Sequence, residues 1–201
     1  YWPQDIGKER QIHKYYLTKP NTKLSAFVEN DEIITNMLDE GQSNDQIKKK
    51  IMKDDFFKKE EVIDNHKTSL KRIRLSDKLS DIKVYDYVDQ NYNRKKLFCD
   101  RGHFNENMLR EYVKKILSYL EENECIKELN SLNICDIFEK INELPIYPST
   151  YKILGLEWMD SDSLYTMNIN NKIKKVTFEE YIDAMLEYYS LARKIIKLCY
   201  Y

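Results

Sequence analysis

The C-terminal end of this 201-residue chain carries its most constraining pattern. Thr177 and Glu180 have the spacing of a capping box, in which each side chain accepts the backbone N–H of the other residue at the start of a helix. The apolar residues that follow recur at the period of an α-helix, and they are Phe178, Tyr181, Ile182, Met185, Leu186, Tyr188, Tyr189, Ala192, Ile195, Ile196 and Cys199. So wide an apolar side predicts a central helix with at least two neighbours, residues 105–122 above all.

Signals for helix starts and stops recur along the rest of the chain. Helical patterns over residues 25–38, from Ser43 onward and over 59–75 predict three helices, the first ending near Gly41. Residues 82–92 fit a helix or a strand. Helices capped by Asn105 and Asn133 and a short one from Pro148 to Gly155 are predicted beyond them.

Residues 164–176 carry the one strand-like pattern. Tyr165 and Met167 alternate with polar residues, and Asn170-Asn171 suits a two-residue turn. The predicted fold is therefore mostly α, a multi-helix bundle of six to eight helices with one small β-hairpin near 164–176. Residues 93–103 lack an apolar period and are interpreted as a linker or an exposed loop. They divide an N-terminal helical region, 1–104, with an extended lead-in, from a C-terminal bundle, 105–201; one continuous domain is the alternative.

The composition says more about the source organism than about the function. Lys, Ile, Asn and Tyr are abundant, while Gly and Pro number only four each, which is typical of an AT-rich genome such as that of a protozoan parasite. The same bias inflates Lys runs, so each carries little weight. With a formal net charge of −1, total charge gives no argument for nucleic acid or a membrane surface.

The compartment is predicted from cysteines and hydropathy. Four widely spaced cysteines are interpreted as free thiols, and no apolar stretch approaches the ~20 residues of a membrane span. An intracellular protein, cytoplasmic or nuclear, is therefore favoured. The chain begins Tyr-Trp-Pro rather than with Met, so a targeting segment would be invisible if it had been removed, and a secreted or exported protein is the alternative.

One run of basic residues could contact nucleic acid. The candidates are Lys67, Lys71, Arg72, Arg74 and Lys78. Phosphate contacts need such charge on one exposed side of a helix. Leu70, Ile73 and Leu75 interrupt the run, so a solvated helix side is the favoured interpretation and nucleic-acid binding the alternative.

No catalytic, cofactor or metal site is predicted. Cys99 and His103 have a spacing that zinc ligands can adopt, but structural zinc sites usually come as two short-spaced pairs. Nothing in the sequence supplies the third group that would orient a Cys-His pair for catalysis. The chain also lacks a glycine-rich phosphate loop.

Tyrosines are the candidate contacts for a protein partner. The chain has sixteen, and adjacent pairs cannot all point to one side of a helix. Tyrosine is favoured at interfaces because it combines a large apolar face with a polar tip. Tyr200, Tyr201 and one of Tyr188 and Tyr189 are predicted to remain outside the core for such contacts.

A partial resemblance keeps peptide docking in view. Residues 137–146, with Leu144-Pro145-Ile146, and then Leu154-Gly155 loosely resemble the N-terminal helical-bundle domain of transcription elongation factor S, which docks short peptide motifs. The chain departs from that pattern by a hairpin-like insert and by the missing Trp of the last helix, and it is not assigned to the family.

The predicted function is a non-catalytic helical module for protein–protein interaction, a subunit or adaptor of a larger assembly. A nucleic-acid-associated, transcription-type helical domain is the first alternative. A small enzyme whose site is assembled from scattered residues is the second.

Overall fold

The computed structural model describes residues 31–100, 103–132, 143–169 and 172–200. Within these ranges the chain forms eight helices and one two-stranded antiparallel sheet, and it is 59% helical. The elements are α1 (Glu32–Asp39), α2 (Asn44–Ile51), α3 (Lys59–Asp77), α4 (Tyr85–Asn91), α5 (Glu106–Tyr119), α6 (Asn123–Ser131), α7 (Pro148–Leu154), β1 (Tyr165–Ile169), β2 (Lys172–Val176) and α8 (Phe178–Tyr200). The predicted mostly α class with one small hairpin is confirmed.

Side-chain caps begin several of these helices where the sequence predicts them. Ser43 and Gln46 form a full capping box at α2, and the Asn105 side chain accepts from the Met108 N–H at α5. Gly41 and Gly155 follow the ends of α1 and α7 with φ of +80° and +60°, a conformation that glycine adopts without a Cβ penalty. These local signals therefore locate the starts of α2 and α5 and the ends of α1 and α7.

Two helices differ from the sequence-based expectation, and a third decides between two structures that the sequence left open. α1 begins at Glu32, capped by Asp31, and the earlier part of the predicted segment lies outside the described residues. Residues 85–91 of the ambiguous stretch are helical, as α4. α6 was not predicted, whereas the helix expected after Asn133 lies outside the described residues.

The larger apolar cluster surrounds α8. The capping box forms as predicted, with Thr177 N donating to Glu180 Oε2 at 2.8 Å and Glu180 N to Thr177 Oγ1 at 3.2 Å. Ile182, Met185 and Leu186 are buried against residues of α1, α2, α7 and the hairpin. The expectation that α8 has at least two neighbours is confirmed.

The expected main neighbour of α8 was wrong. α8 packs chiefly against α2 and the two strands rather than against α5. The only side chain of α5 that is fully buried is Met108, and it faces a different cluster. A single buried position cannot cover the wide apolar side of α8, so other elements do so.

The hairpin packs against this cluster through β1. Tyr165 pairs with Val176 and Ile169 with Lys172 in an antiparallel register. Tyr165 and Met167 are buried in the larger cluster, whereas β2 is exposed except at Val176. A two-stranded hairpin is marginal alone, and burial of one strand stabilises it here.

Residues 93–103 were expected to form a linker or an exposed loop, and this is wrong for their central part. Leu97 and Cys99 are buried, and Leu97 joins Val88 and Met108 in a smaller cluster. Backbone pairing explains the local structure, because Cys99 N donates to His103 O and Asn105 N to Leu97 O. Through Leu97 the segment therefore packs with residues of α3, α4 and α5.

The division at residue 104 stays a prediction. The larger cluster takes residues from both sides of that position, since Ile34 and Ile51 pack in the same cluster as Ile182. Tyr92 packs against both clusters.

Truncation of Met185 tests the core position of α8. Met185 is 2% exposed, so Met185→Ala should lower the free energy of unfolding by about 2–5 kcal/mol through lost burial and a cavity. Urea denaturation with a helix-content readout measures the change. Glu187→Ala on the exposed side of the same helix is the matched control and should shift it by no more than about 0.5 kcal/mol. A comparably small loss at Met185 would contradict the packing.

Candidate functional site

The five basic residues singled out in the sequence all lie on α3 or directly after it, and all are exposed. Lys67, Lys71, Arg74 and Lys78 are spaced by four, three and four residues, which places them along one side of the helix. We call these four the basic stripe. Arg72 lies on another side of α3, so the stripe contains four of the five candidates.

The basic stripe is only partly neutralised by neighbouring groups. Lys67 lies 3.9 Å from a carboxylate oxygen of Asp64, and the Arg74 guanidinium lies 5.5 Å from the centre of the Tyr85 ring. Within the described ranges, Lys71 and Lys78 form no ion pair. Interrupting apolar residues do not break the stripe, because Leu70 and Ile73 point toward the smaller cluster.

An exposed apolar turn follows the stripe. Leu79, directly after Lys78, is 94% exposed, and Leu75 one turn earlier is 49% exposed. The turn is well ordered by hydrogen bonds. Leu79 N donates to Ser76 O at 2.9 Å, and the Ser80 hydroxyl donates to Ile82 O at 2.9 Å.

The Asp77 carboxylate fixes where this turn ends. Asp77 is buried at the end of α3, and its Oδ2 accepts from Val84 N at 2.9 Å and Tyr85 N at 2.7 Å. It therefore caps the first turn of α4 from the end of the preceding helix. Lys83 Nζ donates to the Asp77 carbonyl at 3.3 Å, so both ends of the turn are held.

A groove of about 470 Å³ runs between this turn and α5. Its walls are residues 81–83 and, from α5, Glu111, Lys114, Lys115, Ser118 and Tyr119. Tyr119 is 63% exposed at one end. We call the groove, together with Lys78 and Leu79, the α3–α5 surface.

Two of the tyrosines predicted as partner contacts lie inside the protein. Tyr188 and Tyr189 are both buried, with their rings 5.6 Å apart. An intramolecular role therefore accounts for both rings. The side chain of Tyr200 and the whole of Tyr201 lie outside the described residues, and their partner contacts stay a prediction.

Tyr189 belongs to a buried polar group at the start of α1. Its hydroxyl accepts from the Asp31 N–H at 2.8 Å. The Tyr147 hydroxyl donates to Asp31 Oδ2, and Asp31 Oδ1 accepts from Ile33 N and Ile34 N at 3.0 and 3.2 Å. These bonds tie α1 to α8 and to the segment that begins α7.

Burial dominates the ionisation of this group. Asp31 is fully buried, and desolvation raises the pKa of its carboxyl even though three hydrogen bonds act in the opposite direction. Desolvation, with the nearby carboxylate of Asp31, also raises the pKa of Tyr147 well above its usual range. The phenols therefore stay protonated at neutral pH. Such bonds suit a structural link between helices.

The Cys99–His103 pair does not form a nucleophile and base. The Cys99 thiol is buried and donates to the Phe104 carbonyl at 3.8 Å, whereas the exposed His103 ring contacts Asp100 at 2.7 Å. Burial raises the pKa of the thiol, which is opposite to the activation that a nucleophile needs. Among the described side chains, no group of three or more His, Cys, Asp or Glu could hold a metal ion. Cys135 lies outside the described residues.

Sequence reasoning missed the residues that shape the α3–α5 surface. Leu79 has the pattern of a core residue near the end of a helix, and its exposure depends on the turn that Asp77 fixes. Lys114 and Lys115 have the pattern of an ordinary polar helix side, and only the tertiary structure places them opposite residues 81–83. For Asp31, the position directly before Glu32 and an apolar run was a usable capping signal.

No family model, no curated protein and no solved structure matches this chain. The loose resemblance of residues 137–155 to a transcription elongation factor domain has no support from these comparisons. Among the described helices none combines the length and the apolar character that crossing a bilayer requires.

Replacement of Asp31 by Asn tests the ionisation of the buried group. Burial raises the pKa of Asp31 in the folded state above the usual value of 3.8. At pH values between 3.8 and the raised pKa, the folded state therefore binds more protons than the unfolded chain. The stability of the native chain relative to Asp31→Asn, which keeps a capping side chain but does not titrate, should be greatest below about pH 3.8 and fall with rising pH through this window. Urea denaturation at a series of pH values measures the difference. A difference that rises with pH would show that the hydrogen bonds outweigh desolvation.

Proposed function

We propose that this protein is a non-catalytic helical interaction module, a subunit or adaptor that binds another protein through the α3–α5 surface. The observation that carries the proposal is Leu79, which is 94% exposed in a hydrogen-bonded turn, two residues before the segment 81–83 that forms one wall of the groove. A scattered exposed Leu needs no explanation. One whose backbone is held in a hydrogen-bonded turn can be buried by a partner at little cost for ordering the chain.

The hydrogen bonds made by the buried ionisable groups support a non-catalytic role. Asp31 and Asp77 cap helices, and the Cys99 thiol donates to a backbone carbonyl. Each of these groups has a structural partner and none of the three opens into the groove. A catalytic acid, base or nucleophile would need to reach a substrate.

The source and compartment belong to the same proposal. Cys99 and Cys125 are free thiols, which supports a reducing, intracellular setting for the adaptor. The abundance of Lys, Ile, Asn and Tyr supports an AT-rich organism, such as a parasite, as the source.

Replacement of Leu79 by Asp tests the proposed module. The tagged protein, expressed in its source cells, should retain a neighbour protein in near-stoichiometric amount, and Leu79→Asp should reduce that neighbour by about tenfold or more because a buried anchor is replaced by a charge. Quantitative mass spectrometry of the purified complexes measures the ratio.

Leu164→Asp is the matched control for this experiment. Leu164 is also exposed, at 53%, but precedes β1 rather than the wall of the groove. Both variants should keep the melting temperature of the native protein, since neither removes buried surface. Equal retention of the neighbour by both variants would refute the proposal.

The basic stripe favours nucleic-acid binding as a second candidate. Four exposed cations over twelve residues of one helix side extend for about 17 Å, which suits contacts with successive phosphates. Only one aromatic residue, Tyr85, lies beside the stripe among the described side chains, and it stacks with Arg74. Base stacking therefore adds little, and this candidate rests on charge alone.

Charge reversal along the stripe tests the second candidate. If the stripe binds phosphates, the affinity for a labelled duplex should fall steeply with salt, and Lys71→Glu, Arg74→Glu and Lys78→Glu together should reduce the logarithmic salt slope by about 3. Fluorescence anisotropy at several salt concentrations measures both. The exposed lysines Lys49, Lys50 and Lys53 give a control triple with the same change in charge. Equal effects of the two triples would leave only unspecific attraction.

A further inference from the structure

The two walls of the groove define the length of segment that it can hold. The α5 side chains that line it extend from Glu111 to Tyr119. Eight residues of an α-helix span about 12 Å, which is roughly two turns. The opposite wall, residues 81–83, is short and held by the bonds of Asp77 and Ser80. The groove is therefore formed before any partner binds.

The charge of the α3–α5 surface differs from that of the whole chain. Its cations are Lys78, Lys83, Lys114 and Lys115, against the two acids Asp81 and Glu111. Glu111 is already 3.7 Å from Lys115, and within the described ranges Lys114 and Lys78 have no ion-pair partner. The rest of the basic stripe extends this positive field away from Lys78, although the whole chain has a net charge of −1.

Apolar groups interrupt the same positive surface. Leu79 is exposed two residues before the wall formed by residues 81–83, Ile82 lies in that wall, and Tyr119 is exposed at the end of the other. A phosphate backbone would pair with the lysines but would leave Leu79 and Ile82 without an apolar partner. A segment that carries both acids and apolar side chains satisfies both features.

We infer that the α3–α5 surface binds a short acidic, amphipathic peptide segment of another protein, about two helical turns long, whose apolar side covers Leu79 and Ile82 while its acids face Lys78, Lys83 and Lys114. The inference rests on the proposed function and specifies the chemistry of the partner. A symmetric pairing of two copies through this surface does not fit, since it would bring two positive surfaces together.

Peptide selection on the whole protein tests the inference. A displayed library of random peptides about 16 residues long is selected on the native chain and counter-selected on Leu79→Asp. The enriched peptides should carry an excess of Asp and Glu beside apolar residues spaced three or four apart. Fluorescence anisotropy then measures binding of the best peptide and of its amide version, in which Asn and Gln replace the acids. Removal of the acids should weaken binding by about tenfold or more.

Protein variants separate the contributions of charge and shape. Lys78→Glu, Lys114→Glu and Lys115→Glu together should weaken binding of the acidic peptide by about tenfold or more and favour the amide version relative to it. Leu164→Asp and the triple at Lys49, Lys50 and Lys53 should bind as the native chain does. Circular dichroism checks that every variant keeps its helix content.

Each contrary result identifies which statement fails. Leu79-dependent peptides that are neutral or basic, or unchanged affinity of the amide version, would overturn the acidic partner and leave the proposed module intact. Failure to enrich any Leu79-dependent peptide would overturn the inference, whereas the proposed module is decided separately by retention of the neighbour protein in Leu79→Asp and Leu164→Asp. An unlabelled nucleic-acid duplex that binds the native and Leu79→Asp chains equally, but loses affinity in the triple lysine variant, would assign the surface to a polyanion and overturn the inference.

Discussion

The wide apolar side of α8 has to be removed from water, and the larger cluster is arranged to cover it. No single neighbouring helix has an apolar surface large enough to cover it. Several short elements cover it together, with α1 and α2 over one part, α7 over another, and the buried strand of the hairpin over a third. This explains why a chain of mostly short helices contains a hairpin that would be only marginally stable alone. β1 is stable where it is because it completes the enclosure of α8.

Because α8 is covered on its apolar side, the polar groups beside it need hydrogen-bond partners within the protein. Where α1 begins beside α8, its first N–H groups need acceptors that water no longer provides. The Asp31 side chain accepts two of them, and the Tyr147 and Tyr189 hydroxyls bond to the carboxylate and backbone of Asp31. Tyrosines on α8 thus bring polar tips into an apolar interior. The residue type alone does not distinguish a tyrosine in the core from a tyrosine at an interface, because both use the ring and the hydroxyl in the same way.

Local signals in the sequence predicted local structure well. The helix start at Ser43, the Thr177 capping box, the glycines after α1 and α7 and the hairpin act over a few residues, and each of these predicted features is present. Tertiary partners were not predictable in the same way. The apolar side of α8 specifies that a neighbour exists but not which one. The prediction that α5 is that neighbour was wrong, because the exposed residues of α5 follow nearly the same apolar pattern as buried residues would. The candidate surface was hidden for a related reason, since Leu79 becomes a surface residue only through the Asp77 cap, a bond between two separate helices.

Residues 143 and 144 join the two apolar clusters by backbone hydrogen bonds. Glu143 N donates to Thr166 O on β1, and Leu144 N donates to Cys99 O beside the smaller cluster. The Trp158 indole donates to Tyr92 O, and Lys96 pairs with Glu143 at 2.7 Å. These ties cross the boundary between early and late parts of the sequence, so neither cluster can open without breaking bonds to the other. Opening of one cluster therefore also breaks hydrogen bonds to residues beside the other, so its cost in free energy includes bonds that lie outside its own apolar contacts.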